Sequence, residues 1–276
     1  MAISFDSISS GKSNKPPKIT LYGVGGIGKT TFAHSAPKPI FLFTEEGQGN
    51  LELDCFRLRE NDPVLRSWVE IVDCIDFLIN NDHEYQTVVI DSLDFAEPLL
   101  WQHICQIEGK NGIEECSGGY GKGYLTAVDY ARALLEKLET LRNQKNMAII
   151  LIAHSDTRKF NAPDSESYDR YELRLQKRLA AVIHDWSDCL LFANWEAHVV
   201  QDVKPGSKGT AKTDVEKNRA VGSGKRVIHT QERPAFWAKN RYNLPLELPL
   251  DWITFQNALA GSPSTAQPTQ TPNTKK

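Results

Sequence analysis

Two periodicities alternate along the chain. Short runs of apolar, mostly β-branched or aromatic residues occupy positions 19–22, 40–43, 87–91, 147–153 and 189–193. Runs of that length and character suit strands buried on both faces of a sheet. Between them apolar residues return every three or four positions, the spacing of one helix face. Val64, Trp68, Ile71, Ile75 and Leu78 form one such stripe, with Asp62 as the predicted N-cap and Pro63 at the first helical position. Val128, Ala131, Leu135 and Leu138 mark a second helix over 124–141, and Leu175, Leu179, Val182 and Trp186 a third over 168–186. The segment after Ser92 is less regular, and Pro98 predicts a bend or a restart there. Strands alternating with crossover helices predict an α/β fold with a mostly parallel twisted sheet flanked by helices.

After Phe192 the pattern changes. WEAHVVQDV and KRVIHT, separated by a Gly- and Lys-rich stretch, predict an antiparallel C-terminal hairpin extension at the sheet edge. Residues 1–16 and 261–276 are small and polar and cannot bury enough surface to offset their ordering entropy. Both ends are therefore expected to be disordered, leaving 17–260 as a single domain.

The first strand carries the sharpest chemistry. KITLYGVGGIGKTTFAHS places Gly23, Gly28, Lys29 and Thr30 in the spacing G-x-x-x-x-G-K-[ST], between a strand and a helix start. In that context the backbone amides from Gly23 through Val24, Gly25, Gly26, Ile27, Gly28, Lys29, Thr30 and Thr31 form a phosphate cradle. Lys29 would reach the β and γ phosphates, and the Thr30 hydroxyl would hold Mg2+. TVVIDS ends a buried strand on Asp91, at the sheet edge where open α/β folds bind ligands and where a carboxylate can serve hydrated Mg2+. IFLFTEEG ends another strand on Glu45 and Glu46, either of which could act as a base beside the γ-phosphate. ILIAHSD places His154 at the end of a third strand, either as a packed strand-end histidine or as a phosphate sensor.

Composition narrows the surroundings. The five cysteines are scattered, with no C-x-x-C pair and no histidine cluster, which predicts a reduced intracellular protein without structural zinc. The longest apolar run is far too short to span a bilayer and residues 1–17 lack a signal peptide's apolar segment, so a soluble cytoplasmic protein without a membrane partner is expected. Formal net charge is −3, yet residues 201–241 hold ten Lys or Arg against four Asp or Glu. That basic stretch is either a localised anion contact or a solvated loop.

Taken in order, KITLYGVGGIGKTTFA, FLFTEEG, TVVIDS, GGYGKGY, ILIAHSD and AKNRYNLP resemble the RecA-like ATPase superfamily. In detail they resemble phage-encoded P-loop ATP-binding proteins related to RecA-type recombinases, some of which act in single-strand annealing recombination. The resemblance covers about residues 17–252. It implies a RecA-like P-loop NTPase core, ATP and Mg2+ as cofactors, a DNA-stimulated ATPase, and residues 147–153 as a strand inserted between the phosphate-loop strand and the Asp91 strand. It places Glu45 at the position of the superfamily's catalytic glutamate, and His154 where recombinases usually carry glutamine, implying a sensor of different chemistry. Lys239 and Arg241 resemble a finger that reaches a neighbouring subunit's γ-phosphate, which implies a ring or filament.

Single-stranded DNA is the implied partner, held by loops corresponding to 118–124, with Tyr120, Lys122 and Tyr124, and to 156–171, with Arg158 and Lys159. Arg170, Arg174, Lys177 and Arg178 are expected on one side of the third helix, and residues 201–228 are a third basic candidate. A single-strand binding protein or a replication protein is the further partner class. The competing readings are an ATP-dependent helicase loader or assembly switch, and a nucleotide kinase, for which no arginine-rich lid is evident.

Overall fold

The computed structural model describes residues 15–161, 166–204 and 215–261. The predicted disordered ends, apart from 15–16 and 261, lie outside the described residues, as do 162–165 within the second candidate DNA loop and 205–214 at the tip of the basic hairpin. Six strands run parallel: β1 (Lys18–Gly23), β2 (Pro39–Phe43), β3 (Asp54–Cys55), β4 (Thr87–Asp91), β5 (Ala148–Phe160) and β7 (Cys189–Lys204). Their order is β3-β2-β4-β5-β1-β7, so the strand containing 147–153 does stand between the phosphate-loop strand and the Asp91 strand. β8 (Val215–His229) pairs antiparallel with β7, and β10 (Glu247–Pro249) rather than β8 forms the edge of the described sheet there. Among the described residues the chain is thus an α/β fold with a mostly parallel sheet flanked by helices and an antiparallel C-terminal side.

Alternation along the strands builds two cores. Ile19 and Leu21 of β1 face one side, where Phe32 of α1 (Lys29–His34) and Trp252 and Phe255 of α6 (Trp252–Leu259) pack. Tyr22 faces the other side, with the buried stripes of α2 (Trp68–Asn80), α3 (Leu93–Glu108), α4 (Gly123–Gln144) and α5 (Lys177–Trp186). The stripes predicted for α2 and α4 are these buried faces, since Ile71, Ile75, Leu135 and Leu138 are all inside.

Several predicted boundaries are corrected. The second helix starts five residues later than expected: Ser67, not Asp62, is the N-cap, its hydroxyl accepting from the Glu70 amide. Asp62 instead accepts from the Val64 amide in a local turn, and Val64 and Leu65 extend along the end of β2. Ser67-x-x-Glu70 is the capping signal that outcompetes Asp-Pro. The segment after Ser92 is one helix, α3, that continues through Pro98, where the missing N–H forgoes the bond to the Asp94 carbonyl.

The third predicted helix is half strand. Tyr168–Leu173 forms β6, paired antiparallel with Ser155 to Phe160 of β5, and only Lys177–Trp186 is helical. β5 itself continues seven residues beyond the expected end at 153. An extended partner strand supplied the ladder that a helix-period count could not register. Arg170, Arg174, Lys177 and Arg178 therefore do not share a helix face, and the stretch expected as a loop over 156–171 is largely a β-hairpin.

Candidate functional site

Strand register brings the chemistry to one edge. Gly23 stands level with His154 of β5, Asp91 ends β4 beside Ile152 and Phe43, and Glu45 follows two residues after β2. A side chain at Gly23 would put its Cβ 2.1 Å from the Ala193 carbonyl oxygen of β7, so glycine is needed for that strand to approach. Gly26 and Gly28 hold φ of +73° and +108°, conformations that let the loop fold over before α1 begins at Lys29. The Ile27 side chain anchors the loop in the core.

Lys29 is buried, and its amine donates to the Gly23 and Val24 carbonyls at 3.1 and 3.0 Å. Burial pushes its pKa down, against the pull of the Asp91, Asp94 and Glu45 carboxylates. The Thr30 hydroxyl donates to Asp91 Oδ2 at 2.7 Å. Burial also raises the Asp91 carboxyl to about 6, with Glu45 adding to the rise and the Thr30 hydroxyl and Lys29 opposing it. An ammonium and a carboxylate both held against their preferred charge state face an open cleft of about 410 Å³, lined by Gly26, Lys29, Glu45, Asp91 and His154.

The base candidates are positioned by a clamp that local sequence did not announce. The Thr44 hydroxyl accepts from the Ser92 amide at 2.9 Å and donates to the Ser92 carbonyl at 2.6 Å, fastening the turn after β2 to the turn after β4. The Asp91–Ser92 peptide is cis. Glu45 accepts from the Ser92 hydroxyl at 2.6 Å and lies 3.8 Å from His154 Nδ1; Glu46 lines the same cleft.

His154 is held by Asp94, in the first turn of α3. The carboxylate accepts from the His154 amide at 2.9 Å and from ring Nδ1 at 3.0 Å, and also pairs with Arg174. Burial alone would raise Asp94, but these hydrogen bonds outweigh it and keep the carboxyl well below the usual range. With Nδ1–H engaged on Asp94, the neutral ring presents Nε2 as an acceptor, and donation from Nε2 to a phosphate requires the imidazolium. Asp94 lies three residues after Asp91, a spacing that could have flagged it. Arg174, eighty residues further on, carried no such signal.

The remaining predicted residues lie elsewhere. Lys239 and Asn240 form β9, which pairs with the start of β7 at Leu190 and Cys189. Because Cys189 is level with Ile19 and Ala193 with Gly23, Lys239 and Arg241 stand toward the sheet edge opposite their own phosphate loop. Lys239 donates to the His184 and Asp185 carbonyls at the end of α5, and Arg241 pairs with Asp188.

In the 118–124 loop Tyr120 is fully exposed and Lys122 is exposed. Tyr124 instead packs edge-on against Trp101 and donates to Glu114. Arg158 is engaged by Asp156 and the Leu175 carbonyl, whereas Lys159 is exposed. Arg170 is buried against Phe160 and paired with Glu172, far from the wet face expected of it. Among the described residues no helix is long and apolar enough to cross a membrane, and no group of three or more His, Cys, Asp or Glu side chains is placed to hold a metal ion.

A family model described as an AAA domain matches residues 15–242. Among curated proteins, the SPbeta prophage-derived uncharacterized protein YorG of Bacillus subtilis (strain 168) is 24% identical over 178 residues, 63% of this chain and 49% of that protein. The chain thus spans about half the length of the curated relative it matches.

Proposed function

Since the chain belongs to the AAA domain family and carries a P-loop ATPase site, we propose that it binds and hydrolyses ATP to drive phage-type DNA recombination or single-strand annealing as an oligomer on single-stranded DNA. The observation that carries the ATP reading is the Thr30 hydroxyl at 2.7 Å from Asp91, directly beside Lys29 and under a glycine loop. Oxygen donors in that arrangement fit a hard divalent cation, and a buried carboxylate raised to about 6 gains from a cation beside it. Thr30 and Asp91 would hold Mg2+, which when bound supplies charge neutralisation on the phosphate oxygens.

The chain's own residues do the rest. Loop amides and the Lys29 ammonium bind and orient the triphosphate, Lys29 exchanging its two backbone carbonyls for phosphate oxygens. Glu45 orients and deprotonates the attacking water, itself aimed by the Ser92 hydroxyl. His154, set by Asp94 and Arg174, responds to the γ-phosphate, and β5 runs without interruption from it to Phe160 in the β5–β6 hairpin.

DNA contact is supported by the exposed Tyr120, Lys122 and Lys159, an aromatic and two cations free for bases and phosphates. Assembly is supported by Lys239 and Arg241, whose position away from their own loop leaves a second copy as the source of any γ-phosphate they touch. Calorimetry with ATP, with and without Mg2+, tests the first part. ATPase rate against protein concentration, with and without an oligonucleotide at low salt, tests the others. Absent DNA binding at low salt removes the recombination role, and a concentration-independent rate removes the trans finger, while leaving the ATPase intact.

A further inference from the structure

The phosphate loop is held at both ends, by two different cations. At its start the Lys29 amine ties the Gly23 and Val24 carbonyls. At its end Arg226, on β8 and 199 residues away in sequence, donates from Nη1 to the Ile27 carbonyl at 3.3 Å. The Arg226 backbone is itself fixed: it faces Trp195 across the β7–β8 ladder, its carbonyl accepts from the Leu250 amide at 3.0 Å, and the next two residues, Val227 and Ile228, are buried. A Cβ at Gly28 would come within 2.6 Å of Arg226 Nη1, so glycine there admits the guanidinium as well as the loop's positive φ.

We propose that Arg226 is a positioning residue for nucleotide binding, acting through the Ile27 carbonyl to keep the phosphate loop in its cradle shape. The proposal rests on the ATP reading above. When a triphosphate enters, the Lys29 amine moves to phosphate oxygens and its hold on Gly23 and Val24 ends. Arg226 stands behind Gly28 rather than among the residues lining the cleft, and its bond to the Ile27 carbonyl is the one that, on this proposal, is retained when the ligand binds. Four glycines among residues 23–28 leave this loop with much freedom to lose on ordering. The strand-borne guanidinium lowers that loss before the ligand arrives. Since the loop shape is the same in ground and transition states, the benefit falls on binding rather than on the chemical step.

The experiment compares wild type, Arg226→Ala and Arg226→Lys by calorimetry with ATP·Mg2+ and ADP·Mg2+, and by steady-state ATPase, with circular dichroism as the check on folding. Arg226→Ala should weaken ATP and ADP equally, by roughly three- to tenfold, the worth of one modest, partly exposed hydrogen bond. KM should rise by the same factor with kcat retained, and Arg226→Lys should recover part of the loss. Equal affinities of wild type and Arg226→Ala overturn this proposal alone. A fall in kcat with KM unchanged also overturns it, because Arg226 would then act on the reacting atoms. No binding of ATP by wild type overturns the ATP reading and this one together. Should Arg226→Ala not fold, Arg226→Lys and Arg226→Gln carry the same comparison, with glutamine expected to bind more weakly than lysine.

Discussion

The two ends of the parallel strands use similar residue types to opposite effect. At the N-terminal end, Asp188 is almost wholly buried and accepts from the Lys18 amide, Arg142, Arg241 and the Tyr242 hydroxyl at 2.9 to 3.3 Å. Four donors engage its lone pairs, three of them from groups packed inside the fold and the fourth from the half-exposed Arg241, tying β1, α4 and the turn after β9 together. At the C-terminal end, among the described residues, Asp91 accepts from one protein donor, Thr30, and Lys29 donates to two loop carbonyls. A saturated buried charge is a structural clamp, whereas buried charges with exchangeable partners beside an open cleft are what the proposed binding site requires. The difference lies in how many partners are fixed, not in which residues are present.

The largest expected effect tests the binding end. Lys29→Ala should remove measurable ATP uptake by calorimetry while leaving the circular dichroism spectrum unchanged; retained affinity would erase the distinction between the two ends. Next, Glu45→Gln should keep ATP bound and lower turnover by about two or more orders of magnitude, the usual worth of general-base assistance. Unchanged turnover moves the base to Glu46 or beyond.

At the clamped end, Asp188→Ala strands Arg142 and Arg241 without their carboxylate. Denaturant unfolding should show a loss of about 3 kcal/mol, in the range for breaking a buried ion pair, with ATP affinity of the folded protein unaltered. An affinity change without destabilisation would mean that this end, too, serves the ligand.

The smallest and most graded effect is that of pH. Asp91 has a folded pKa of about 6 against an ordinary 3.8, so its contribution favours the fold below 3.8 and is lost as pH rises through 6. Cation binding needs the ionised form and runs the other way. Mg2+-dependent ATP affinity should therefore fall by about tenfold per pH unit below 6, a slope that Asp91→Asn should abolish along with most of the affinity.

Much of this molecule is legible in the order of its residues. The glycine loop, Lys29, Thr30, the Asp91 strand and the Glu45 turn are contiguous motifs whose chemistry resides in backbone amides and strand ends, so each short stretch carries its own meaning. The buried stripes of α2 and α4 and the parallel alternation are readable for the same local reason. Tertiary structure alone decided the rest. The strand identity of 168–173 came from its pairing with β5, the setting of His154 from Asp94 and Arg174, the hold on Ile27 from Arg226, and the saturation of Asp188 from donors on separate segments. Each of these joins groups well apart along the chain, where no spacing rule links them, and only packing of the sheet brings donor to acceptor.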